Sequence, residues 1–114
     1  MTEIEQVRHA AERGAILRTL KQDYQSEMTS ISTLIGALDL RGISLSREGI
    51  GFHLQYLADQ GYIRIWRVKD MPGFRSDRRL PGWEKPEVMK FTKLLPKGLL
   101  LLDGNIQEDA KVTF

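Results

Sequence analysis

The chain contains no cysteine, and this absence removes several classes of function. Without thiols there are no disulfides, thiolate zinc sites, iron–sulfur clusters or cysteine nucleophiles. Long apolar runs are also missing, since the longest, GLLLL at 98–102, is far short of the roughly 18 residues that a membrane span needs. The charged N-terminal sequence MTEIEQVRHAAER lacks the apolar core of a signal peptide. We therefore expect a cytoplasmic protein with no membrane partner.

Charge is distributed unevenly along a chain whose composition is otherwise ordinary. The 114 residues suffice for one compact domain, and 41% are hydrophobic. The segment from Arg64 to Lys97 holds ten basic and four acidic residues, a surplus of six, whereas the whole chain carries only +2. The remaining residues therefore sum to −4. This split indicates a polyanion-facing segment on a mildly acidic body.

Two amphipathic helices are predicted in the first part of the chain. Apolar and small residues approximate the helical repeat over 4–22, despite an internal glycine. A second helix, capped by Thr29 or Ser30, carries apolar residues at i, i+3, i+4 and i+7. Gly42 ends it, because glycine readily adopts the left-handed conformation in which a chain leaves a helix.

A third helix follows after a short turn. Ser46 is placed to cap it, and Gly61 to end it. One stripe of this helix is apolar and is formed by Ile50, Leu54 and Leu57.

The second half of the chain predicts two antiparallel strands and a short helix. YIRIWRV at 62–68 is rich in β-branched and aromatic residues, and EVMKFTKL at 87–94 is a plausible partner. The long intervening loop contains three prolines and two glycines, and such loops are usually functional or disordered. Pro96 suits the first position of a last helix that ends at Gly104. The following residues, 105–114, give no clear assignment.

This order of elements, with GFHLQYL at 51–57 and GYI at 61–63, resembles a winged helix-turn-helix domain, in particular the S-x-H-L-x-x-L…G-L-V stretch of ArsR-type repressors. LLPKGL at 94–99 is similar to the L-T-x-x-G that starts the helix after the wing. The resemblance covers about residues 14–104. The chain also resembles the small winged-helix proteins of Mu-like prophages. It implies an α+β, mainly α fold with a three-helix core, a two-stranded β-wing at about 62–94 and a short C-terminal helix. The winged-helix domain is then 1–104, and 105–114 is a C-terminal tail.

Two positions depart from the family pattern. Gly51 replaces the usual polar residue, which removes a side chain from base reading, and Leu95 replaces the threonine that would cap the last helix. The cysteines of the metal-responsive members are absent, so no metal-sensing pattern carries over.

The outer face of the third helix is the first candidate for DNA contact, because the major groove admits one α-helix. Steps of 100° from Ile50 put Glu48, Gln55 and Asp59 on the opposite side. Gln55 can pair with adenine and Glu48 with cytosine, whereas Ser46 and Arg47 can hold phosphates. The alternative is a solvated face, which we favour for Glu48 and Asp59.

The loop between the strands is the stronger candidate. Flexible cations on a protruding element supply phosphate neutralisation, and an arginine can enter a narrow minor groove. The alternative is a loop whose charge only maintains solubility. The predicted DNA-binding residues of the helix and the wing are Ser46, Arg47, Gln55, Arg67, Arg75, Arg78, Arg79 and Lys85.

Aromatic residues accompany these arginines. Phe74 and Trp83 in the loop and Trp66 in the preceding strand could stack on bases. We favour packing of the loop against the body or a dimer contact.

Little in the sequence supports a catalytic or metal-binding site. His9 and His53 are distant in sequence and have no cysteine beside them, although distant residues can meet in space. A structural His53 is the better interpretation, and the serines fit helix caps and turns. We expect no cofactor, no metal and no enzymatic activity.

The sequence therefore predicts a transcriptional regulator that binds double-stranded DNA as a homodimer, because one small winged helix rarely reads enough DNA alone. Exposed apolar residues of the first helix and the GLLLL helix could form the interface, or both could be covered by their own core. The alternative function is a winged-helix protein-interaction module, such as a phage accessory protein.

Overall fold

A computed structural model describes residues 2–75 and 79–114. Within these residues the chain forms an α+β fold, which confirms the predicted class. None of the described helices is both long and apolar enough to cross a membrane. The elements, in chain order, are α1 (Glu3–Gln22), β1 (Thr29–Ser30), α2 (Ile31–Leu40), α3 (Arg47–Asp59), β2 (Ile63–Arg67), β3 (Met89–Leu94) and α4 (Pro96–Leu102).

Serine side chains cap α2 and α3. Ser30 is the cap of α2, for which the sequence had offered Thr29 or Ser30, and Ser46 caps α3 as predicted. The hydroxyls of Ser30 and Ser46 each accept a hydrogen bond from the backbone N–H three residues further on, at 3.1 and 3.0 Å. Both helices are followed by a glycine in the left-handed region, Gly42 at φ +82° and Gly61 at φ +81°. The bounds of α2 and α3 are therefore fixed by local chemistry.

The sheet has three strands in the order β1-β3-β2, all antiparallel, one strand more than the sequence predicted. The extra strand β1 pairs Thr29 with Thr92 and Ser30 with Phe91. Two residues are too few to show an alternating pattern, so this strand had no detectable signal. It pairs the residues just before α2 with strand β3 of the β2–β3 hairpin.

Among the described residues, one hydrophobic core joins α1, α2, α3 and α4 to the hairpin. The apolar stripe of α3 is fully inside it, with Ile50 at 1% and Leu54 and Leu57 at 0% exposure. This confirms the predicted stripe. Contributions from the other elements include Ile16, Leu17, Leu20, Leu34, Leu38, Ile63, Leu94 and Leu101.

The C-terminal segment 105–114, which the sequence left unassigned, packs on the body. Val112 is buried in the core, and the Thr113 N–H donates to the Ala10 carbonyl at 2.9 Å. A Cβ atom at Gly14 would lie 1.9 Å from the Thr113 carbonyl oxygen. The glycine inside α1 is thus explained by the close approach of this segment.

Candidate functional site

The third helix presents one polar face to solvent. Its buried stripe leaves Glu48, Gln55 and Asp59 exposed, as the helical repeat predicted. Phe52 lies at the edge of this face and is 52% exposed. The face therefore combines two carboxylates, one amide and one aromatic ring.

A direct hydrogen bond joins this face to the β2–β3 hairpin. Arg67 Nη2, at the end of β2, donates to Gln55 Oε1 at 2.7 Å. Gln55 Nε2 in turn donates to Asp59 Oδ1 at 2.8 Å. The structure thus brings two predicted site residues together, and their contact holds the Gln55 amide in one orientation. Reading a base with Gln55 would require these bonds to exchange.

The start of α3 lies next to the start of α2. The Ser46 hydroxyl is occupied by the helix cap, and Arg47 Nη2 donates to the Ser32 hydroxyl at 3.2 Å. Ser46, Arg47 and Ser32 are all exposed. An anion at this place would meet a guanidinium and a helix N-terminus together.

The predicted cations of the hairpin loop lie at exposed positions where the structure describes them. These are Arg75, Arg79 and Lys85, whereas Arg78 lies outside the described residues. Their contact with DNA stays a prediction.

The loop folds partly over the hairpin. Phe74 is half-buried, its N–H donates to the Met71 carbonyl at 3.2 Å, and it lines a shallow groove with Val68 and Leu80. This agrees with the packing interpretation for Phe74. The side chain of Trp83 lies outside the part that the structure describes.

The strand aromatic Trp66 is half-buried as well. The Arg64 guanidinium carbon lies 4.5 Å from the centre of its ring. This cation–π contact occupies Trp66 within its own strand and supports packing over base stacking.

A small apolar groove lies between α3 and the hairpin. It has a volume of about 260 Å³ and is lined by apolar side chains and by Arg47 and Glu48. Its apolar lining comes from Ile31, Ile50, Leu54, Val88 and Met89. Gly51 opens this groove because it has no side chain there.

The opposite side of α3 contacts α1 through a polar cluster that the sequence did not predict. His53 Nε2 lies 2.7 Å from Glu12 Oε2 and 3.4 Å from His9 Nδ1. Within the described residues these three form the group whose donor atoms could hold a metal ion, all within 4.8 Å of one another. The two histidines are 44 residues apart, so only the packing of α1 on α3 brings them together. The one visible signal was the i, i+3 spacing of His9 and Glu12.

Burial sets the charge state in this cluster. His53 is 1% exposed, and burial lowers its pKa, outweighing the opposing effect of the Glu12 carboxylate. Electrostatic interaction with Arg13 lowers it further. The imidazole is therefore neutral at neutral pH, consistent with the structural role that the sequence predicted for His53.

Arg13 and the C-terminal segment form a second polar network on the same side of α3. The Arg13 guanidinium lies 4.2 Å from the centre of the Tyr56 ring and donates to the Lys111 carbonyl at 3.3 Å. The hydroxyls of Tyr56 and Tyr62 both donate to Asp109 Oδ2 at 2.9 Å. Sequence patterns contained no sign of this network, because its members lie on four separate segments.

The network shifts the pKa of each acidic member. Burial and the bond to Asp109 raise the pKa of Tyr56 and of Tyr62 to about 12. Burial alone would raise the pKa of Asp109. The hydrogen bonds from the Lys111 amide and both tyrosines, with the charge of Arg13, lower it overall. The ionised carboxylate is thus the stable partner of two neutral phenols.

Comparison of the chain with protein-family models, curated proteins and solved structures found no match in any of the three.

Proposed function

We propose that the chain is a winged helix-turn-helix protein that binds double-stranded DNA and regulates transcription. In this proposal α3 enters the major groove, and the β2–β3 hairpin is the wing, with its cations on the phosphate backbone or in the minor groove. Three helices with a short turn before an exposed third helix, followed by an antiparallel hairpin, support the proposed fold.

The contact between Arg67 and Gln55 carries the proposal. It joins the hairpin to the outer face of α3 at 2.7 Å, so both elements can reach one stretch of duplex. In this contact the Arg67 guanidinium donates to an uncharged amide. The surplus of six positive charges between Arg64 and Lys97 supplies the attraction to a polyanion.

A homodimer is part of the proposal. The first turns of α1 extend into solvent, and Ile4 and Val7, at i and i+3, are 82% and 64% exposed. A second copy that covers these residues would bring two α3 helices to one DNA molecule. Analytical ultracentrifugation of the wild type and of Ile4→Ser/Val7→Ser tests this part separately.

Fluorescence anisotropy with a labelled duplex tests the DNA-binding proposal. We expect binding at low salt and a linear fall of log affinity with log salt concentration. Replacing Arg75, Arg78 and Arg79 together with alanine should weaken binding to all sequences. It should also reduce the salt slope by up to about three units, roughly 0.9 for each phosphate that the variant no longer neutralises.

A matched double variant serves as the control. Arg18 and Lys21 are exposed cations outside the basic segment, beside Phe114 and Asp103 respectively. Their replacement with alanine should leave the slope unchanged. Absence of binding at low salt, or equal slopes for the wild type and the loop variant, would refute the proposal.

A protein-interaction module is the second candidate function. The observation that favours it is the apolar groove beside α3, together with the half-exposed Phe52. Phe52 does not line this groove, and its ring packs beside those of His9 and His53 while 52% of the residue stays exposed. Exposed aromatic residues are typical anchors in protein interfaces. This candidate requires that duplex DNA does not bind and that Phe52→Ser abolishes capture of a peptide ligand selected from a displayed library.

A further inference from the structure

We propose that His9, Glu12 and His53 form a binding site for a divalent transition-metal ion of the zinc class, with one coordination position open to solvent. The three donors come from two helices, α1 and α3, and their ligand atoms already lie within 4.8 Å of one another. This proposal is independent of DNA binding.

The distance between the two histidine nitrogens fits a tetrahedral ion, whereas Glu12 has to adjust its position. Zinc–nitrogen bonds of about 2.0–2.1 Å put neighbouring tetrahedral ligand atoms roughly 3.3–3.4 Å apart. His9 Nδ1 and His53 Nε2 are 3.4 Å apart. The Glu12 carboxylate lies 2.7 Å from His53 Nε2, which is too close for a common ion, and a rotation of its flexible side chain has to move it away by roughly 0.6 Å.

The donor set selects the class of metal. Two imidazole nitrogens and one carboxylate oxygen suit zinc and its first-row neighbours, whereas calcium and magnesium prefer oxygen ligands alone. Three protein ligands leave the fourth tetrahedral position for water or an external ligand. His9 and His53 are the only two histidines in the chain, and there is no cysteine, so the sequence offers no competing nitrogen-and-sulfur site.

The ring of His53 is held in place before any ion arrives. His53 is 1% exposed, and its ring lies 5.5 Å from that of Phe52 and 5.1 Å from that of His9, measured between ring centres. The Glu12 side chain is 15% exposed and is held from its other oxygen by Arg8 at 3.4 Å. Fixed ligands lower the ordering cost of binding. Arg8 is 67% exposed and can turn away to relieve its repulsion from the ion.

An open groove gives access to the cluster. It has a volume of about 610 Å³ and is lined by all three ligands together with the α2–α3 turn. Ser44, Ser46 and Gly49 also line it. A metal-bound water or a small anionic ligand would therefore lie between the cluster and the start of α3.

Direct metal titration of the untagged protein tests the site. The protein is stripped with a chelator, and Zn²⁺ is titrated in competition with a fluorescent indicator. Visible absorption of added Co²⁺ reports the coordination geometry. We expect one ion per chain, intense absorption typical of four-coordinate Co²⁺, and no competition from excess Mg²⁺ or Ca²⁺.

Variants at the two partly exposed ligands assign the site. His9→Gln and Glu12→Gln should each weaken Zn²⁺ binding by about tenfold or more, since loss even of an outer-shell partner typically costs 10–100-fold. Glu5→Gln, an exposed carboxylate on the same helix, should bind as the wild type does. Circular dichroism confirms that each variant is folded. His53 is left unchanged because its burial makes a folding defect the more direct effect.

Two results would overturn the proposal. One is the absence of one-to-one binding of Zn²⁺ or Co²⁺, and the other is binding that His9→Gln and Glu12→Gln leave unchanged. In either case the cluster is a hydrogen-bonded contact between helices. Because these measurements contain no DNA, their outcome does not depend on the anisotropy experiments.

Discussion

The two sides of α3 differ in how their polar groups are satisfied. On the side towards α1, His53 is buried, and Tyr56 donates to Asp109 in a network closed by the C-terminal segment. On the outer face towards the hairpin, Gln55 and Arg67 form a single contact at the surface. Buried polar groups are costly when unpaired, whereas exposed ones exchange readily with water or a ligand. The Asp109 network on the first side is therefore expected to contribute more to stability than the surface contact on the second side does.

The largest effect on stability is expected from disrupting the hydrogen-bond network of Asp109. Asp109→Ala removes the acceptor of both tyrosine hydroxyls and should lower the free energy of unfolding by about 2 kcal/mol, within the range for hydrogen bonds to a charged group. Urea unfolding followed by circular dichroism measures this loss. Glu108→Ala, at the exposed neighbouring position, should change stability little. Equal losses in the two variants would contradict the stabilising role of the network.

Acidification should weaken the stabilising contribution of Asp109. The pKa of Asp109 in the folded protein is below its ordinary value of 3.8, so its stabilising contribution is present above that pH and declines as the pH falls through the lower folded value. The stability difference between the wild type and Asp109→Asn should therefore be constant from pH 7 to about 5 and shrink below about 4. Urea unfolding at pH 7, 5 and 3 measures it. A difference that grows on acidification would show that the sign is wrong.

A smaller effect, on binding and not on folding, is expected from Arg67→Ala. If the hairpin and α3 contact one duplex, the loss of this cation should weaken DNA binding by roughly fivefold, about 1 kcal/mol. Stability should change by less than about 0.5 kcal/mol because the contact is at the surface. Anisotropy and urea unfolding measure the two quantities. A loss of stability without any change in DNA affinity would indicate that Arg67 stabilises the fold and does not contact DNA.

The smallest expected effect is an increase in DNA affinity. Glu48→Gln removes a negative charge from the exposed face of α3 and should strengthen DNA binding about twofold at low salt, since like charges repel the phosphates. The gain should vanish at high salt because of screening. Glu27→Gln, an exposed carboxylate outside this face, is the matched control in the same anisotropy assay. Weaker binding of Glu48→Gln would instead indicate that Glu48 contacts a base.

Elements with local signals were predicted closely. The serine caps and glycine stops marked the bounds of α2 and α3, and the buried stripe around Ile50 is as expected. The strand β1 was missed because two residues show no period. The exposed face of α3 was predicted from its helical repeat, whereas the bond between Gln55 and Arg67 was not. Pairings of this kind depend on the angle between elements, which no local pattern contains.

The sequence alone determined the α+β class, the positions of the helices and hairpin, and the concentration of positive charge between Arg64 and Lys97. These follow from periodicity, capping and composition, all of which act over a few neighbouring residues. Only the tertiary structure decided that His9 and His53 meet beside Glu12, and that Asp109 receives both tyrosines. Such contacts join residues about 40 or more positions apart, and they form only when the burial of a shared core brings distant segments together.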